Sequence, residues 1–252
     1  MSEEDYLFWS IIVVAIIALI AIIIIQLKVR KLRKILKKKE SSNIKLILIG
    51  GGSGSGKSFI SNKLAEEIKK NKRKVTIIRM DHYYKSIENF SKNFEKINFD
   101  SPKVIDWKTL IKDIDSLRSG IAINQKIYNF ATGEYYKDKN IKIEPGDFII
   151  LEGIFVFYNK EINLLANEKI FIEANEKTRW RRRLERDKKE RYTKKNEEEL
   201  KKIWENRVLP MHKKYIEKTK KHVNDIIENN NDKNQKYINE KINEVYEKIT
   251  KL

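Results

Sequence analysis

The sequence predicts an α/β fold, a parallel sheet with helices on both faces, preceded by one transmembrane helix. Three observations predict it. Short apolar runs alternate with longer amphipathic or charged stretches, a glycine-rich turn joins the first such run to a helix, and a continuous apolar segment lies ahead of both.

Residues 7–25, LFWSIIVVAIIALIAIIII, contain Ser10 as the one clearly polar residue. As a helix they span about 28 Å, close to the thickness of the hydrocarbon core of a bilayer. Lys28, Arg30, Lys31, Arg33, Lys34, Lys37, Lys38 and Lys39 follow, and the acidic MSEED precedes. A secretory signal peptide has the opposite polarity and ends in a small-residue cleavage site. The positive-inside rule therefore leaves the N-terminus outside and everything after residue 27 in the cytoplasm, the compartment that holds ATP. The expected organisation is a membrane anchor over 1–27, a basic, partly helical linker over 28–43, a catalytic domain over 44–230 and a C-terminal helical segment over 231–252. A single-pass membrane protein with a cytoplasmic catalytic domain is the expected localisation.

Within the catalytic part, IKLILI (44–49) reads as a buried strand, and the loop after it opens a helix from about Ser58 to Lys70. KVTIIRM (74–80) is a second strand ending at Asp81, residues 108–119 read as a helix, and 121–146 as strands with turns. DFIILEG (147–153) and KIFIEA (169–174) are two more buried strands. Charged helices are expected over 176–190 and 196–222, a short strand over 223–229 and a terminal helix over 233–251.

The 252 residues contain no cysteine, which excludes disulfides and thiolate metal sites. His82, His212 and His222 are too dispersed for a zinc site and read as surface or edge residues. The net charge of +18 is spread over a chain rich in Lys, Ile and Asn, with no nucleic-acid-binding motif beside it, so no dedicated nucleic-acid binding is expected. A homo-oligomer is left open.

Gly51, Gly56, Lys57 and Ser58 fit G-x-x-x-x-G-K-[ST] between a strand and a helix, the signature of a P-loop NTPase-type sheet. Backbone N–H groups of such a loop turn inward around phosphate oxygens, Lys57 neutralises β/γ charge and the Ser58 hydroxyl can ligate Mg²⁺. The expected nucleotide cradle runs through Gly51, Gly52, Ser53, Gly54, Ser55, Gly56, Lys57, Ser58 and Phe59. Asp81, at the carboxyl end of a strand, is a candidate base for an attacking hydroxyl. Glu152, ending FIILE, is a candidate for the Mg²⁺ shell.

With these residues in view, the chain resembles the uridine kinase family, within the phosphoribulokinase/uridine kinase group of P-loop kinases. The resemblance covers residues 44–229 and rests on GGSGSGKS, MDHYYK, INFDSPKVID, YNF, IILEGIFVF, RRLERDKKER and VLPMHKKYIEKTKKHVNDII, in the family's order. It implies a small β insertion, an arginine-rich lid, and phosphorylation of a ribonucleoside 5′-hydroxyl by ATP or GTP with Mg²⁺, most simply uridine or cytidine. It also implies that Asp81 is the base, that Asp100 binds the ribose hydroxyls, and that Tyr84, Phe99, Tyr128 and Phe130 frame the nucleoside. Arg186 and Arg191 would reach donor phosphates, with Arg183 near the transferred group.

Three motifs depart from the family pattern. Gly133 stands where the Tyr-x-Phe-x-x-His motif has histidine, and Tyr192 and Thr193 replace the glycine and second arginine of Glu-Arg-Gly-Arg. The family's nucleoside-side Gln aligns at or near Ile203. All three depart on the base-reading side, so a shifted or relaxed base preference is expected. Two other readings stand beside this one: a kinase of another small hydroxylated substrate, and a membrane-tethered nucleotide-binding protein with little kinase activity.

Overall fold

Five short apolar segments become strands: β1 (Lys45–Gly51), β2 (Val75–Arg79), β5 (Phe148–Glu152), β6 (Glu168–Glu173) and β7 (Asp225–Glu228). In the computed structural model, which describes residues 3–90, 97–130, 132–192, 195–230 and 235–251, they form one sheet ordered β2-β5-β1-β6-β7. All four pairings are parallel. A parallel sheet buried on both faces needs apolar residues at consecutive positions, and Leu46, Ile47, Leu48 and Ile49 are all fully buried.

The glycine-rich turn leads from β1 into α2 (Lys57–Lys70), and α8 (Gln235–Thr250) packs against α2. Ile238, Ile242, Val245 and Ile249 recur at helical spacing on α8 and join Ile60, Leu64 and Ile68 of α2 in the core beneath Ile47, Ile49 and Ile150. Asp106 caps α3 (Trp107–Arg118) by accepting from the Thr109 amide.

The insertion is an antiparallel pair, β3 (Ile123–Asn129) and β4 (Glu134–Ile143), turned at Gly133. A short α4 (Lys160–Leu165), not expected from the sequence, links β5 to β6. After β6, Asn175 caps α5 (Glu176–Arg186), which runs into a π-helical turn, Asp187–Arg191. Then α6 (Glu197–Ile203) opens with a capping box between Asn196 and Glu199. The expected helix over 196–222 continues from it as an irregular run of π and 3₁₀ turns containing α7 (Leu209–Met211).

The chain divides into two units, Met1–Ser41 and Ser42–Leu252. The first is one continuous helix, α1 (Glu3–Glu40), so the basic residues 28–39 extend the apolar helix without a break. Its most apolar stretch has a mean hydropathy of 3.3, and α1 is long and apolar enough to cross a membrane.

Ile242 is 4% exposed at the centre of the α8 face. Ile242→Ala is expected to destabilise the second unit by about 3 kcal/mol, read as a lower urea midpoint with an unchanged slope.

Candidate active site

The phosphate loop is held from behind by backbone contact. At Gly54, φ is 79°, and a Cβ would stand 2.2 Å from the Arg179 carbonyl oxygen, so this position excludes any side chain. Asn229, just beyond β7, donates from Nδ2 to the Ser55 carbonyl at 2.9 Å, and Arg182 donates to the Asn229 carbonyl at 2.9 Å. The loop is therefore clamped between α5 and the end of β7.

Strand register brings the charged residues together. Arg79 and Glu152 are parallel partners at the ends of β2 and β5, and Ile49 of β1 is the partner of Glu152 on its other side. Glu152, 5% exposed, accepts from the Ser58 hydroxyl at 2.8 Å and pairs with Arg79 Nε at 3.3 Å. Burial pushes its carboxyl up, while Lys57 and the Ser58 hydrogen bond oppose that shift. A hydroxyl and a carboxylate in contact at the loop's end form an oxygen donor pair that suits Mg²⁺. Among the described residues, no group of three His, Cys, Asp or Glu could hold a metal.

Lys57 donates to the Gly52 carbonyl at 3.0 Å. Its ammonium is lowered to about 8 by desolvation, which outweighs the attraction of Glu152 and Asp81 and is reinforced by Arg186 and Arg179. An electropositive, poorly hydrated loop of this kind fits a polyanion such as a nucleotide triphosphate.

Asp81 lies in the 3₁₀ turn Met80–Tyr83 directly after β2 and lines the same cleft as Lys57, Ser58 and Glu152. The turn is fixed by its neighbours. Tyr83 donates its hydroxyl to Asp113 of α3 at 2.9 Å, and the Asp106 amide donates to the Tyr83 carbonyl at 2.8 Å. Gly153 explains the glycine after Glu152: a Cβ there would stand 2.5 Å from the Met80 Cβ.

Asp100 is oriented by an Asx turn, its amide donating to Asn98 Oδ1 at 3.0 Å. Its carboxylate is engaged by Arg183, at 2.9 Å from Nη1 and 3.3 Å from Nη2. Arg183 also donates through Nε to Asp187 at 2.9 Å and through Nη1 to the Ser53 hydroxyl at 3.1 Å, which Arg186 reaches at 3.2 Å. Burial alone would favour losing the Arg183 proton, but Asp100 and Asp187 more than offset it and hold the guanidinium charged.

Beyond Asp100 lies a second pocket, walled by Tyr84, Phe99, Tyr128, Phe130 and Tyr192. Tyr84 meets Tyr128 at 5.4 Å and Phe130 at 5.8 Å between ring centroids, and its carbonyl accepts from the Tyr135 hydroxyl at 2.6 Å. The Tyr128 hydroxyl is buried with no hydrogen-bond partner. Tyr84, Asp100 and Arg183 belong to both pockets.

The residues singled out in the sequence thus converge, with four exceptions. Phe59 is 39% exposed and does not line the cleft. The side chain of Arg191 and all of Thr193 lie outside the described residues. Ile203, at the end of α6, does not line the aromatic pocket. Sequence reasoning missed Arg79 and Asp187, whose roles come from strand register and from a helical turn, and noted Tyr192 only as a departure from the family pattern. His212, read as a surface or edge residue, is half-buried. His212 packs against Gly52 with Nδ1 buried and unpartnered, and burial beside Arg179 and Lys57 lowers it to about 3, so it stays neutral.

Protonated Lys57 is the form that attracts phosphate, and a bound anion raises its pKa. The lysine holds its proton well below pH 8 and loses it above, so affinity for MgATP is expected to be flat below about pH 7. It then weakens by up to about tenfold per pH unit as pH rises through 8, a limb that Lys57→Met should abolish in titration calorimetry.

Comparison with known proteins agrees with this geometry. Residues 46–235 match the model of the phosphoribulokinase / uridine kinase family. The chain is 37% identical over 183 residues to a uridine kinase of Mycoplasma genitalium, covering 72% of this chain and 84% of the relative. It is 35% identical over 188 residues to a uridine kinase of Staphylococcus haemolyticus, covering 74% and 88%. A solved structure described as a possible uridine kinase of Bacillus stearothermophilus shares the fold, with a TM-score of 0.54 at 15% identity over 79% of this chain and 99% of that one. The protein, whose phosphate loop, strand-end carboxylates and arginine-bearing helix meet at one cleft, belongs to the phosphoribulokinase/uridine kinase family and is a phosphotransferase of the uridine-kinase type.

Proposed function

We propose that the protein transfers the γ-phosphoryl group of ATP or GTP to the 5′-hydroxyl of a ribonucleoside, most simply uridine or cytidine, at the cytoplasmic face of a membrane. The observation that carries this reading is the shared wall between the charged cleft and the aromatic pocket, formed by Tyr84, Asp100 and Arg183. A base held among the rings would present its sugar toward Asp81 and the phosphate loop. The relatives that match most of the chain are uridine kinases, which supports the same acceptor class.

In this reading Asp81 accepts the proton of the attacking hydroxyl, and Lys57, Arg186 and Arg191 answer the charge of the donor phosphates. Ser58 and Glu152 hold Mg²⁺, which when bound supplies charge neutralisation at the phosphate oxygens. Asp100 binds the ribose hydroxyls. Arg183 occupies one acceptor site on each oxygen of that carboxylate, and the remaining lone pairs can accept the ribose hydroxyls while the guanidinium keeps its place beside the transferred phosphoryl group. Phosphoryl transfer rests mainly on alignment and charge neutralisation, and the arginine-bearing turn over the loop serves both.

The membrane assignment rests on the length and apolarity of α1 and the basic residues behind it. Deleting residues 1–27 is expected to move the protein from the membrane pellet to the soluble fraction of a cell lysate, and pelleting that persists would remove the anchor from the proposal.

The direct test uses the full-length protein in detergent micelles with Mg²⁺, ATP or GTP, and uridine, cytidine, adenosine, guanosine and pantothenate as acceptors. Uridine or cytidine is expected to turn over, and Asp81→Asn to lower kcat about 100-fold or more while nucleotide binding stays. Turnover of pantothenate in place of every nucleoside, or of no acceptor at all, would overturn the assignment.

A further inference from the structure

Tyr192 lines the aromatic pocket from a different direction than the other rings. Tyr84 and Phe99 come from the segments after β2 and before α3, and Tyr128 and Phe130 from the end of β3, whereas Tyr192 stands at the end of the π turn that follows α5. Its backbone is pinned on both sides: its amide donates to the Asp187 carbonyl at 2.7 Å, and its carbonyl accepts from the Lys195 amide at 2.9 Å. The Asp187 carboxylate in turn accepts from Arg183 at 2.9 Å and Arg186 at 3.3 Å, and both arginines reach Ser53 of the phosphate loop. The ring of Tyr192 is therefore carried by the same turn that carries the arginines.

The polar groups lining the pocket are tyrosine hydroxyls, the buried and unpartnered one of Tyr128 among them, and the charged pair Asp100 and Arg183. Asp100 and Arg183 engage each other, and Gly133, at the turn of the β3–β4 pair, brings no side chain. What the walls offer besides these is π surface, which attracts any flat ring and does so with little regard to its substituents.

We infer that Tyr192 is a specificity-determining residue of the acceptor pocket, closing the aromatic box from the arginine-bearing turn and selecting acceptors by the planarity of their base. The inference rests on the nucleoside reading proposed above and names how that acceptor is recognised. A planar base stacks among the rings. A puckered ring of the same composition apart from two hydrogens does not, and it pays for the mismatch in binding.

The test compares uridine with 5,6-dihydrouridine, whose base is not flat, in steady-state kinetics of the full-length protein in detergent micelles. The wild type is expected to show a KM several-fold lower for uridine. Tyr192→Gly should raise the uridine KM roughly tenfold, shrink the preference over dihydrouridine to about twofold or less, and leave the ATP KM within about twofold. Tyr192→Phe, which keeps the ring, should behave as the wild type. Tyr192→Leu, which fills the space without a π face, should lose the preference as the glycine variant does and serves if that variant fails to fold. A Tyr192→Gly protein with the wild-type uridine KM, a preference for uridine that survives in Tyr192→Leu, or a phenylalanine variant as impaired as the glycine one would overturn the inference alone. A wild type that phosphorylates no nucleoside would overturn the functional reading and this inference with it.

Discussion

Arg183 carries a full positive charge into a region from which water is nearly excluded, and that charge has to be answered by protein groups. Three elements answer it. Asp100 comes from the segment before α3, Asp187 from the turn after α5, and Ser53 from the phosphate loop. An unmatched guanidinium at 5% exposure would cost several kcal/mol, so the three segments are held in a common arrangement by the need to match it. The wall between the two halves of the site is built around this one side chain.

That arrangement separates two kinds of recognition. On one side the loop, Lys57 and Arg186 form an electropositive cradle in which the electrostatic cost of desolvating cations is recovered when an anion arrives. On the other side the walls are rings, and the proposed binding there would depend on shape and stacking. Between them Asp81 and Asp100 supply the carboxylates. The strand ends fix Glu152 and Arg79 through register, and the 3₁₀ turn after β2 fixes Asp81 through Tyr83 and Asp113. Each group is thus set by an element whose position is already determined by the sheet. This is how a cleft built from the ends of separate strands can hold its geometry closely.

The N-terminal helix obeys a different physics. Its residues are apolar all round over the first half, and basic residues alternate with Val29, Leu32, Ile35 and Leu36 over the second. In the proposed anchoring the apolar half would lie in hydrocarbon and the basic half against anionic headgroups.

The chemistry of the donor side was legible in the sequence because it depends on local rules. A glycine-rich turn between a strand and a helix has few other uses, and Lys57 and Ser58 are placed by that turn's own backbone. The strands and the α2 and α8 helices followed from periodicity, since burial on both faces of a parallel sheet and on one face of a helix leaves distinct patterns. The linker expected over 28–43 and the uniform helix over 196–222 were less legible. The first continues α1 to Glu40, and the second is broken by π and 3₁₀ turns that propensity does not distinguish. Only the tertiary structure decided which residues face one another across the sheet and the lid. Arg79 reaches Glu152 because β2 and β5 pair in parallel at that register, and the half-buried His212 has its Nδ1 enclosed because its turn lies against Gly52. Arg183 meets Asp100 across 83 positions of chain. Such contacts depend on how separate elements are brought together, and a one-dimensional pattern carries the identity of each partner without the distance between them.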